Sequence, residues 1–87
     1  MDIIFATHTD TRFEIEVHAA DCGHIGQLTR KGFELGDAES FNTRWEAYID
    51  FNSDFYNEGG KDNCHHLAFK PCTKALPNGT WPAEYGI

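Results

Sequence analysis

The sequence predicts an α+β fold in which a small antiparallel sheet of three or four strands packs on one main amphipathic helix. Two observations lead to this prediction. Apolar side chains in residues 37–58 recur with the helical period of ~100° per residue, and those in residues 12–18 alternate as in a strand with one buried face. A chain of 87 residues has the length of one domain. We therefore expect residues 1–87 to form a single α+β domain.

The first two strands are expected to form a β-hairpin. Residues 3–7 are apolar and β-favouring, and in residues 12–18 the side chains of Phe13, Ile15 and Val17 share one face. The three polar residues 9–11 between the segments favour a short connection. The apolar face of this hairpin needs a cover, which the main helix can provide.

The segment 19–36 has no regular period, because glycine interrupts it four times. Asp21 can cap a short helix through Ile25 and Leu28 that stops at Gly32. Residues 33–35 then form either a short strand or an extended lead into the main helix.

The main helix is expected over residues 37–58. Asp37 or Ser40 can cap its first turn, and Gly59 and Gly60 supply a left-handed stop. One side of this helix carries apolar and aromatic residues, which predicts that it supplies about half of the core. The opposite side carries carboxylates, which predicts an exposed acidic face.

After the helix, residues 64–70 are expected to form a third strand that ends at Pro71. The tail contains a predicted turn at residues 77–79 and then either a fourth strand or an irregular segment. The predicted core consists of Ile4, Phe13, Ile15, Val17, Phe41, Trp45, Tyr48, Ile49, Phe55, Leu67 and Phe69.

Fourteen acidic residues against seven basic ones give a net charge of −7. This charge disfavours direct binding to nucleic acid or to anionic membranes. No apolar run approaches the ~18 residues of a membrane span, and the first ten residues lack the pattern of a signal peptide. We therefore expect a cytoplasmic protein. Six acids and one base, Arg44, lie between Gly36 and Gly60, so the excess charge is concentrated on the main helix.

The three cysteines are expected to be free thiols, and no cofactor is expected. Their odd number, without a secretion signal, argues against a disulfide framework. The alternative is a structural zinc site that joins two groups of ligands. The first group contains His18, Cys22 and His24, and the second contains Cys64, His65, His66 and Cys72. The set chosen for such a site is His18, Cys22, Cys64 and His65.

No catalytic residues are expected. Cys22 near a glycine-rich turn, or Cys64 beside His65, could in principle act as a nucleophile activated by histidine. Neither cysteine lies in a recognisable catalytic motif, and a single small core leaves little room for a water-excluded pocket. The sequence thus predicts a protein that is not an enzyme.

The acidic face is the predicted partner-binding surface. Carboxylates one helical turn apart, ~5–6 Å along the axis, imitate the regular negative charge of a nucleic-acid backbone and suit a basic groove. The residues assigned to this surface are Glu39, Glu46, Asp50, Asp54 and Glu58. The expected partner is a basic protein or a nucleic-acid-binding complex. A plain solvated surface would also explain these residues.

No family motif is identified residue by residue. The profile of a short, acidic, cytoplasmic chain without catalytic residues resembles in kind the small inhibitors that phages and other mobile elements make against host defence or nucleic-acid enzymes. That resemblance implies a non-enzymatic inhibitor of a basic macromolecule. The alternatives are a small zinc-stabilised module and an accessory subunit that pairs through a sheet edge.

Overall fold

The computed structural model describes residues 1–8, 10 and 14–80. These residues form a sheet and one long helix, which confirms the α+β class, although the sheet has five strands where three or four were predicted. The elements are β1 (Asp2–His8), β2 (Glu14–Ala19), α1 (Ile25–Leu28), β3 (Phe33–Leu35), β4 (Glu39–Ser40), α2 (Arg44–Gly59) and β5 (His66–Phe69). Within the described part of the chain, no helix combines the length and apolar character needed to cross a bilayer.

Strands β1 and β2 form the predicted antiparallel hairpin, with Phe5 opposite Val17. The outer edge of β1 pairs with β3 at one end of the strand and with β4 at the other. The outer edge of β2 pairs with β5, so the sheet order is β3-β1-β2-β5. Strand β1 is therefore an interior strand, and both of its edges are paired.

The sheet is mixed, which corrects the prediction of a purely antiparallel sheet. Strand β5 runs parallel to β2, with Ile15 opposite Leu67 and Val17 opposite Phe69. The reason is the connection, because α2 carries the chain across the sheet from the β1 side to the far edge of β2. Such a helical crossover joins strands that point the same way, whereas a tight turn joins antiparallel ones.

Helix α2 begins seven residues later than predicted. Its cap is Thr43, whose Oγ accepts a hydrogen bond from the backbone N–H of Glu46 at 3.1 Å, and not Asp37 or Ser40. The Glu46 carboxylate in turn accepts a bond from the N–H of Asn42 at 3.2 Å, an arrangement close to a capping box. The predicted stop is confirmed, because Gly60 has a φ of 75° and donates to the carbonyl of Tyr56.

The main core lies between α2 and one face of the sheet. Ile15, Val17, Tyr48 and Leu67 are buried there as predicted. The rest of the buried cluster is Ile3, Phe5, Ala47 and Leu76. Other predicted core residues are only partly buried, and these are Ile4, Phe41, Trp45, Ile49, Phe55 and Phe69. Phe13 lies outside the described residues.

The prediction that Ile4 belongs to this core is wrong. Ile3 is fully buried in the main core, whereas Ile4 lies opposite His18 on the other face of the sheet. Two adjacent isoleucines give no periodic signal that distinguishes the faces, because either could point toward the helix.

The short helix α1 and the 3-10 turn Thr29–Lys31 follow the hairpin and end at Gly32, which has the predicted left-handed conformation at a φ of 89°. Asp21 does not cap α1, since the N-cap position is His24 and no side chain caps it. Residues 33–35 form the short strand β3, the first of the two alternatives that the sequence left open. Between residues 70 and 80 the chain forms no strand, and the carbonyls of Pro77 and Asn78 accept bonds from the first N–H groups of α2. The tail beyond residue 80, for which the sequence allows either a fourth strand or an irregular segment, lies outside the described residues.

Candidate functional site

Two groups of chemically distinctive side chains are present. The first is the acidic face, defined by Glu39, Glu46, Asp50, Asp54 and Glu58, which are all exposed. The second is the cysteine–histidine cluster, defined by His18, Cys22 and Cys72. The alternation along β2 places His18 on the face of the sheet opposite Val17, which packs in the main core under α2. The two groups therefore belong to opposite sides of the sheet.

Four members of the acidic face lie on α2, as predicted, but Glu39 does not. Glu39 belongs to β4, where its backbone pairs with Ile3. Its carboxyl group nevertheless approaches that of Asp50 on α2. Slight desolvation of this exposed group, the charge of Asp50 and a hydrogen bond with Asp50 raise the pKa of Glu39, and the charge of Asp37 adds to this effect. The acidic face therefore extends from the helix onto the neighbouring strand.

Arg44 does not neutralise the acidic face. Its Nε donates to the carbonyl of Leu76 at 3.1 Å, and its guanidinium lies 5.0 Å from the centre of the Phe69 ring. Among the described residues, no lysine or arginine side chain forms a salt bridge with a member of the acidic face. The negative charge of this surface is therefore directed to solvent.

The cysteine–histidine cluster brings three ligand atoms within 4.8 Å of one another. The Sγ of Cys72 lies 3.7 Å from the Nδ1 of His18 and accepts the backbone N–H of Ala19 at 3.3 Å. The Sγ of Cys22 lies 3.7 Å from the Nδ1 of His24, an exposed side chain at the rim of the cluster. Two thiols and two imidazoles are thus gathered at one end of the sheet.

The parallel pairing of β2 and β5 explains this arrangement. Both strands point the same way, so the residues that follow them emerge at the same end of the sheet. His18 lies near the end of β2 and Cys22 lies in the turn after it, while Cys72 lies in the 3-10 turn Pro71–Thr73 directly after β5. The backbone N–H of Lys70 donates a hydrogen bond to the carbonyl of Val17 at 3.0 Å, which holds the chain segments after the two strands close together.

The same register separates two of the predicted ligands from the cluster. Cys64 and His65 precede β5 and so lie at the opposite end of the strand pair. Cys64 packs against the main core and directs its thiol to the carbonyl of Gly60 at 3.8 Å, and the backbone of His65 bonds to the side chain of Asn52. Of the set chosen from the sequence, only His18 and Cys22 meet. Cys72, which belongs to the second group of candidate ligands but not to the predicted set, takes the place of Cys64.

Glu16 fixes the orientation of the His18 ring. Its Oε1 lies 2.9 Å from Nε2 of His18. A carboxylate can only accept a hydrogen bond, so Nε2 carries the hydrogen and, in the neutral ring, Nδ1 is left as a lone pair facing Cys72. Burial raises the pKa of the Cys72 thiol and its contact with Cys22 raises it further, while the bond from the N–H of Ala19 acts in the opposite direction.

The cluster opens onto a cavity of about 420 Å³. Besides the cluster, Lys31 and Lys70 contribute to its wall, and Leu28 and Phe33 supply apolar surface. Cys72, His18 and Glu16 form a chain of the kind found in thiol enzymes. The raised pKa of Cys72 opposes this use, because a nucleophilic cysteine needs a lowered pKa.

No protein-family model, curated protein or solved structure matches the chain.

Proposed function

We propose that the protein is a non-enzymatic inhibitor that docks its acidic face on a basic, nucleic-acid-handling macromolecule. The single observation that carries this proposal is that the five carboxylates are exposed on one continuous surface without basic partners among the described residues. Surface carboxylates that only promote solubility are usually interspersed with lysine and arginine. Here like charges are gathered instead.

The contact between Glu39 and Asp50 supports the same proposal. Desolvation and the charge of Asp50 raise the pKa of Glu39, so an ionised Glu39 costs stability in the isolated protein. A cationic partner would weaken the repulsion between the two carboxylates, and this relief would contribute favourably to the free energy of binding. A groove lined by lysine and arginine, as in proteins that hold nucleic acid, offers such cations.

The dimensions of α2 suit this role. Its 16 residues span about 24 Å, and Glu46, Asp50, Asp54 and Glu58 are spaced by four residues, or ~6 Å along the axis. The row therefore presents one negative charge per helical turn. Complementary charge of this kind speeds association and selects the partner more than it raises affinity.

Pairing through a sheet edge is less favoured. The edge strands β3, β4 and β5 have three, two and four residues, respectively. Strands this short offer few backbone groups to a second chain. The proposal includes a cytoplasmic location, where nucleic-acid-handling complexes and reduced thiols occur together.

The test is capture followed by competition. A tagged copy is incubated with a lysate of cells that produce the protein, and the retained partner is purified and mixed with the protein again. We expect a partner that itself binds nucleic acid, and an excess of oligonucleotide should displace the protein from it. A partner with no affinity for nucleic acid, or retention that oligonucleotides leave unchanged, would contradict the proposal.

A further inference from the structure

We propose that His18, Cys22 and Cys72, with His24 as the fourth ligand, bind a zinc ion. This site is separate from the acidic face and lies on the other side of the sheet. The sequence favoured free thiols without a cofactor, and the arrangement of side chains in three dimensions supports the alternative.

The distances within the cluster fit tetrahedral zinc. With Zn–S bonds of ~2.3 Å and Zn–N bonds of ~2.0–2.1 Å, the edge between a sulfur and a nitrogen ligand is about 3.6 Å. The Cys72 Sγ to His18 Nδ1 distance is 3.7 Å, and the Cys22 Sγ to His24 Nδ1 distance is also 3.7 Å. Two edges of the tetrahedron are therefore already present. His24 lies outside the set of three residues whose ligand atoms are within 4.8 Å of one another, so its exposed side chain would have to turn toward the ion.

The surroundings of the cluster are those of a metal site. Glu16 accepts the Nε2 hydrogen of His18 at 2.9 Å and leaves Nδ1 free to coordinate, which is the outer-shell arrangement that most histidine ligands have. The backbone N–H of Ala19 points to the Sγ of Cys72 at 3.3 Å and would stabilise a thiolate there. Glu16 is thus a positioning residue, and it is not a ligand.

Two other uses of the cluster are less consistent with its composition. A thiol nucleophile needs one cysteine with one histidine, and it does not explain why Cys22 and His24 lie beside Cys72. A Cys22–Cys72 disulfide would use both sulfurs but neither imidazole. Only a metal ion uses two sulfurs and two nitrogens at once, and zinc is the usual occupant of a Cys₂His₂ set.

Zinc analysis of the wild-type protein is the first test. Protein prepared in reductant with zinc and then freed of excess metal should hold one zinc per chain. Cobalt(II) in place of zinc should give the intense visible bands of a tetrahedral ion, together with a thiolate-to-metal band. Protein that holds less than a tenth of an equivalent of zinc, or that keeps a Cys22–Cys72 disulfide in reductant, would overturn the proposal.

Matched variants assign the ligands. Cys72→Ala and Cys22→Ala should lose the thiolate-to-cobalt band or halve it, whereas Cys64→Ala should keep it, because Cys64 lies at the other end of β5. His24→Ala alters an exposed side chain and keeps the fold intact, so a weaker affinity for zinc in this variant reports coordination alone. Equal loss of metal in the Cys64 and Cys72 variants would overturn the assignment.

The variant Glu16→Gln distinguishes a role of Glu16 in orienting His18 from a role in folding. Its amide can present its oxygen to Nε2 but lacks the charge that strengthens His18 as a ligand, so we expect zinc affinity to fall by about 10- to 100-fold. Circular dichroism of the metal-free variant should match that of the metal-free wild type. An unchanged affinity would show that Glu16 plays no part. The acidic face contributes no ligand, so none of these outcomes depends on the proposed partner.

Discussion

The side chain of Asn52 forms two hydrogen bonds with the backbone of His65. Its Oδ1 accepts the N–H of His65 at 2.7 Å, and its Nδ2 donates to the carbonyl of the same residue at 3.2 Å. Asn52 is fully buried in the middle of α2, and His65 directly precedes β5. One amide therefore fixes where the chain enters β5, and so the register that brings Cys72 to His18.

Asn52→Ala should destabilise the fold strongly. The substitution removes both hydrogen bonds between the Asn52 amide and the backbone of His65, and a buried polar group that loses its hydrogen bond costs ~1–3 kcal/mol. We expect the free energy of unfolding to fall by about 2 kcal/mol or more in urea denaturation. Asn57→Ala on the exposed side of the same helix is the control and should change it by less than ~0.5 kcal/mol. Similar losses in the two variants would contradict the role given to Asn52.

Ile3→Ala and Ile4→Ala form a matched pair that tests which face of β1 packs on α2. Ile3 is fully buried in the main core, so its truncation should cost ~2–5 kcal/mol. Ile4 is only partly buried, and we expect its truncation to cost less than half as much. Chemical denaturation of both variants measures the difference. A larger loss for Ile4 would mean that the strand is turned the other way.

Gly79→Ala should destabilise the start of α2. Gly79 has a φ of 77°, and a Cβ placed there would lie 2.8 Å from the Cβ of the capping residue Thr43. Left-handed backbone costs an L-residue ~1–2 kcal/mol, and displacement of the cap adds to this. Gly26→Ala in α1 has open space and is the control, and it should be neutral or slightly stabilising. The two melting temperatures check the prediction, and a neutral Gly79 variant would refute it.

Glu39→Gln should stabilise the protein at neutral pH. The raised pKa of Glu39 means that the folded state binds this proton more tightly than the unfolded chain does. The ionised carboxylate therefore destabilises the fold fully above the raised pKa, and the penalty fades as pH falls from there toward the ordinary pKa of glutamate.

We expect the stabilisation by Glu39→Gln to be less than ~1 kcal/mol, as for other exposed charge pairs, and to disappear in acid. Thermal unfolding across pH measures it against Glu34→Gln, which removes the same charge from another exposed position. If both variants behave alike at every pH, the contact between Glu39 and Asp50 has no energetic effect.

Local patterns in the sequence predicted the local parts of this fold. The alternation around Ile15 and Val17 predicted β2, and the glycine pair at the end of the aromatic stripe predicted where α2 stops. The start of α2 could also be predicted from the sequence, because Thr43 and Glu46 have the spacing of a capping box. Asp37 and Ser40 also have side chains that can cap a helix, but Ser40 lies in β4 and Asp37 precedes that strand.

The candidate metal site depends on long-range pairing that no local pattern contains. Cys64 and Cys72 flank the same strand, and only the direction of β5 relative to β2 decides which of them reaches His18. The carboxylates of α2 were easier to place, since helical periodicity alone puts them opposite Tyr48. Glu39 lies beside them because tertiary packing brings β4 close to Asp50 on α2.

The most direct test of the proposed function is the affinity for the purified partner as a function of salt concentration. Three proteins are compared: the wild type, a triple variant of the acidic face and a control triple variant. The first triple is Glu39→Lys, Asp50→Lys and Asp54→Lys, and the control is Asp2→Lys, Asp10→Lys and Asp62→Lys. Glu46 is left unchanged because its carboxylate accepts the N–H of Asn42 at the start of α2.

All six substituted residues are exposed, and the two triples change the net charge equally. At ~0.5–1 kcal/mol for each lost contact, we expect the acidic-face triple to weaken binding by about 10- to 100-fold, and the control triple to weaken it much less. Wild-type affinity should also fall steeply with added salt. Equal weakening by the two triples, or an affinity that neither triple changes, would contradict docking through the acidic face.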